Sequence, residues 1–94
     1  MSIVIIKTIT GEELIATRAV SSLGKVTYSK ARVFRVVDMG NGQGKAELFP
    51  FWIVSPDVEF EMNSALVFAE IPAPDAVERS YLQSTTGIAL VGGK

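Results

Sequence analysis

The chain has 94 residues, nearly half of them apolar, with a net charge of −1 at pH 7. That length fits a single domain, 1–94, with a modest core, and the near-neutral balance gives no global pull toward nucleic acid. The absence of cysteine and histidine excludes a disulfide framework, thiolate or imidazole metal ligands, and a histidine general base or triad.

No apolar run approaches the roughly 20 residues that cross a bilayer. The N-terminus lacks a basic segment followed by a long apolar one, so neither a membrane partner nor a signal peptide is expected. The missing cysteines fit a reducing compartment, and a cytoplasmic location is expected.

Ile3, Val4, Ile5 and Ile6 form an unbroken β-branched run, which favours a strand with both faces covered. Thr10-Gly11 supplies a turn, since glycine accepts positive φ without a Cβ clash. Residues 12–20 read as a second strand with the small Ala16 in its middle, where a strand can bend sharply. Residues 21–25 form a turn with Gly24 at the positive-φ position. Residues 26–38 read as a long strand. Val26 and Tyr28 alternate on one parity, Val33 and Val37 on the other, so a bulge near residues 30–32 must reconcile them.

Residues 39–44 are a glycine-rich loop. A phosphate cradle would need a helix N-terminus next, but residues 45–54 read as a strand, with Phe49, Phe51 and Ile53 alternating. A hairpin loop is therefore expected. Pro50 within that strand points to an edge or a bulge. Val58, Phe60 and Met62 alternate with Glu59, Glu61 and Asn63, a half-buried strand. Residues 65–71 read as a further apolar strand, ended by Pro72. One helix is predicted over residues 74–86, with Pro74 at its start, Asp75 and Glu78 in the first turn and Gly87 as its stop. Val77, Tyr81, Ala76 and Leu82 form its apolar stripe. Residues 88–91 suit a short edge strand, and residues 92–94 are expected to fray.

The charges are segregated. Arg18, Lys25, Lys30, Arg32, Arg35 and Lys45 fall in a stretch whose only acid is Asp38, while no base lies between Glu47 and Glu78. Such asymmetry marks either an interaction surface or neighbouring strands that pair within one subunit. Glu59 and Glu61 share a face at strand spacing. On the polar side of an alternating strand they read as solvated side chains rather than a catalytic pair, and no enzyme activity or cofactor is expected. Trp52, Phe49 and Phe51 have apolar neighbours and read as core or subunit interface. Tyr28, near Lys25 and Lys30, is the better candidate for stacking on a base.

Several short strands, one strongly bent early hairpin and a single helix suggest a mainly β fold, a small five-stranded antiparallel barrel. At this point the chain resembles the Sm-like (LSm) family, in particular short uncharacterised Sm-like proteins of marine tailed-phage origin. Residues 10–16, TGEELIA, look like the glycine-turn-strand of the first Sm motif. Residues 60–68, FEMNSALVF, look like the approach to the last strand in the second motif. Residues 77–90, with Tyr81-Leu82 and Thr86-Gly87-Ile88, are similar to the phage group. The chain departs from the family pattern too. The helix comes last rather than first, Ala16 stands where glycine is usual, and the family's arginine-glycine pair is replaced near Glu61-Met62.

The resemblance implies a homo-oligomeric ring, the last strand of each subunit adding to the next-to-last strand of its neighbour. It also implies binding of single-stranded RNA, and host cytoplasm as the location for a phage protein. The RNA-binding candidates are Lys25 for phosphate, Tyr28 for stacking, and Asn63 and Ser64 for a base edge or ribose. The alternative is a structural or adaptor ring that binds proteins. The near-neutral charge and the missing arginine-glycine pair favour it.

Overall fold

The computed structural model describes residues 2–86. It is mainly β: β1 (Ser2–Thr8), β2 (Glu13–Val20), β3 (Val26–Asp38), β4 (Gly44–Pro50), β5 (Glu59–Phe60) and β6 (Val67–Pro72), then one helix, α1 (Asp75–Thr86). The strands form one six-stranded antiparallel sheet in the order β4-β3-β2-β1-β6, with β5 also paired to β3. The turn between β1 and β2 closes on Gly11, at φ 94°.

The inner face follows the alternation of the strands. Val4, Ile6, Leu14, Ala16, Tyr28, Ala31 and Val33 form one buried cluster, and Phe51, Phe60 and Val67 pack against it. The opposite face takes the helix. Tyr81 is fully buried there; its hydroxyl hydrogen-bonds with that of Thr17 (2.8 Å) and donates to the Ser29 carbonyl (3.4 Å). In the β-branched run of β1, Val4 and Ile6 enter the core, while Ile3 and Ile5 on the other face are half-buried, Ile5 lining a cleft with Val77 of α1.

The predicted bulge is present. Ile15 pairs with Arg32 and Thr17 with Ser29, so Ala16 alone stands opposite Lys30 and Ala31. Lys30 takes φ 55°, a left-handed conformation that costs a non-glycine residue about 1–2 kcal/mol. This kink lets both parities of β3 meet one core.

The expectation of a closed five-stranded barrel is corrected. The sheet has six strands and stays open, because β5 bonds only to β3 and β6 only to β1 among the described residues. The strand expected over residues 45–54 stops at Pro50. Residues 51–58 then loop outward, tied back by Phe51 N to Ala31 O (3.0 Å) and by Arg32. Arg32 donates to the Pro56 carbonyl (2.8 Å) and pairs with Asp57 Oδ1 (2.9 Å). What resumes is only Glu59–Phe60. The helix begins one residue later than predicted, with Glu78 N donating to Pro74 O (2.8 Å). The Gly87 stop, the edge strand over residues 88–91 and the frayed end lie outside the described residues.

Candidate functional site

Two turns set the geometry at one end of the sheet. Between β2 and β3, Gly24 adopts φ 79° and Ser21 N donates to Lys25 O (2.9 Å). The Ser21 hydroxyl accepts from Leu23 N and Lys25 N, so little of this turn is loose. Between β5 and β6, Asn63 Oδ1 accepts from Ala65 N (2.9 Å) and caps a short helical turn, Ser64–Leu66. The turns meet where Lys25 Nζ lies 3.4 Å from Glu61 Oε2.

Beside this meeting point, in the gap between β5 and β6, lies a cleft of about 240 Å³. Val26, Met62 and Val67 are apolar parts of its wall; Arg18, Tyr28, Ser64 and Glu70 bring the polar groups. Tyr28 donates to Glu70 Oε1 (2.9 Å). Glu70 Oε2 is 3.2 Å from Arg18 Nε, yet that nitrogen is buried and makes no hydrogen bond, so the contact is coulombic only. Burial, and next the bond to Glu70, push the Tyr28 hydroxyl pKa up, while Arg18 pulls it down less.

The four predicted site residues do gather at this end, in unequal roles. Lys25 is exposed at the rim but paired with Glu61. Ser64 lines the cleft. Asn63 spends its side-chain oxygen on the turn. Tyr28 is buried with its ring 6.1 Å from that of Phe60, so it has no open face for a base to stack on. Arg18 and Glu70 were missed as site residues. Their signal was parity: Arg18 pairs with Tyr28 and Glu70 with Ile6, so both charges fall on the inner face.

The segregated charges find each other within the subunit. Arg18 meets Glu70, Lys25 meets Glu61 and Arg32 meets Asp57. Glu59, the other carboxylate of the alternating pair, accepts from the Thr27 hydroxyl (3.2 Å). Among the described residues there is no group of three or more Asp or Glu side chains arranged to hold a metal ion, and no helix long and apolar enough to cross a membrane.

A second feature lies on residues 51–58. Phe51, Trp52 and Phe60 form an aromatic cluster, with the Trp52 ring edge-on to Phe51 (5.2 Å) and Phe60 (5.4 Å). These rings, with Ile53, Val54 and Val58, line an almost wholly apolar groove of about 400 Å³. Ile53 is 83% and Val54 98% exposed. No protein-family model matches the chain, and no curated protein matches it in sequence.

Proposed function

We propose that this protein is a subunit of an Sm-like homo-oligomeric ring that binds single-stranded RNA and modulates its pairing or turnover. The observation that carries the reading is the meeting of the 21–25 turn, through Lys25, with Glu61 on the segment between β5 and β6, beside a cleft lined by Arg18 and Ser64. The sheet supports the assembly part. Its last strand, β6, returns beside β1, which leaves one edge of β6 without a strand among the described residues, and β4 and β5 border the far side. An open sheet with such edges is stabilised by a neighbour that covers them. A contact between β6 of one copy and the β4 and β5 side of the next is head-to-tail, so it closes a ring when the rotation per subunit divides a full turn.

Fluorescence anisotropy with short A-rich and U-rich RNA at several salt concentrations tests this. Binding should weaken as salt rises, and Lys25→Ala should reduce the salt slope by about one per occupied subunit. No binding at low salt by an assembled protein would overturn the RNA reading. The second reading, an adaptor ring for proteins, is favoured by the Lys25–Glu61 pair, which already offsets the one lysine at the rim.

A further inference from the structure

A carboxylate offers about four acceptor positions and no donor. Glu70 uses one position on the Tyr28 hydroxyl, and its contact with Arg18 Nε consumes none as a hydrogen bond. Acceptor capacity therefore remains on both oxygens of a side chain that lines the cleft. The Tyr28 proton is committed to Glu70. The Ser64 hydroxyl, also on the cleft wall, makes no side-chain hydrogen bond among the described residues and rotates to suit a partner. At about 240 Å³ the cleft falls below the ~300 Å³ where pockets for drug-sized ligands begin, so it suits a single planar base. Val26, Met62 and Val67 give it an apolar wall for the face of an unstacked ring, and Glu70 sets a carboxylate beside that wall, which disfavours a phosphate.

Resting on the RNA reading, we propose that Glu70 makes this cleft selective for adenine and cytosine over uracil by accepting from their 6- and 4-amino groups. Adenine and cytosine present an amino donor where uracil presents a carbonyl acceptor. A carboxylate accepts from the amino group and repels the carbonyl; the one donor on that edge of uracil, N3–H, is flanked by two carbonyl oxygens that face the carboxylate with it. Lone pairs facing lone pairs in a partly buried site are costly, so rejection contributes as much as attraction.

The test is anisotropy of the full chain with labelled oligo(A), oligo(C) and oligo(U) at one salt concentration, for the wild type and Glu70→Gln. The wild type should bind oligo(A) and oligo(C) about tenfold more tightly than oligo(U), the lower end expected for one well-made base contact. Glu70→Gln adds an amide donor, so oligo(U) should gain affinity and the preference should collapse. Equal binding of all three by the wild type, or a preference for oligo(U), overturns the role of Glu70 and leaves the RNA reading standing. Failure to bind any of them overturns both. The wild-type comparison decides the matter even where the variant does not fold.

Discussion

The two halves of the sheet use apolar residues in opposite ways. In β1, β2 and the first part of β3, they alternate into one core, and Ile6, Leu14, Ala16 and Ala31 are fully buried. After Pro50 the chain is just as apolar but leaves its side chains outside. Trp52 is 42% exposed and Phe68 76%. The difference lies in the backbone rather than in hydrophobicity. The first region has strands on both sides to complete its ladder, and the second lies on sheet edges or leaves the ladder altogether. Under the proposed ring, this exposed apolar surface at the sheet edges is where a neighbouring copy packs, since large exposed apolar patches are uncommon on a lone monomer.

The sharpest way to break the contrast is to damage each region and compare. Leu14→Ala in the core should cost about 2–5 kcal/mol, read from denaturant unfolding. A cost as small as that of an exposed site would mean that the centre of the sheet is not the core. Arg32→Ala should cost less, about 1–3 kcal/mol, by removing the donors to the Pro56 carbonyl and the partner of Asp57. It should also loosen residues 51–58, visible as faster proteolysis there. Unchanged proteolysis would show that this segment holds its position without the arginine.

Lys30→Gly works in the other direction. It relieves the left-handed strain at φ 55° and should stabilise the fold by up to about 1 kcal/mol. A loss of stability would mean that the lysine stem contributes more than the kink costs.

The smallest effect separates core from surface by pH. Burial is the main cause raising both Tyr28 and Tyr81 above the ordinary tyrosine value of 10.0. The folded chain holds these protons more tightly than the unfolded one. Their contribution is therefore complete below pH 10 and is lost as pH rises through the folded values. These are the only tyrosines in the chain, so tyrosinate absorbance reports them alone. Late titration in the native protein and ordinary titration in denaturant are expected. Ordinary titration in both would place the two rings in solvent.

Much of this fold was legible in residue order. The 3–6 run, the Gly11 and Gly24 turns, the small Ala16 and the parity change across Lys30 each state a local preference that the packing keeps. The 74–86 helix was equally plain from its proline start and acidic first turn. The exit at Pro50 was not. Phe49, Phe51 and Ile53 alternate as a strand would, and only the contacts of Arg32 with Pro56 and Asp57, distant along the chain, hold the segment off the ladder. The candidate site was half legible. Turn composition pointed to Lys25, Asn63 and Ser64. The Tyr28–Glu70 bond joins strands that no local pattern brings together.

The central claim is that the exposed apolar half is an assembly surface, and solution mass tests it most directly. Light scattering on the full chain at micromolar concentration should give a discrete multiple of the subunit mass. Phe68→Asp should reduce that mass while leaving the β-type circular dichroism spectrum of the subunit unchanged, since the side chain is exposed. A wild-type protein with the mass of a single chain would contradict the account.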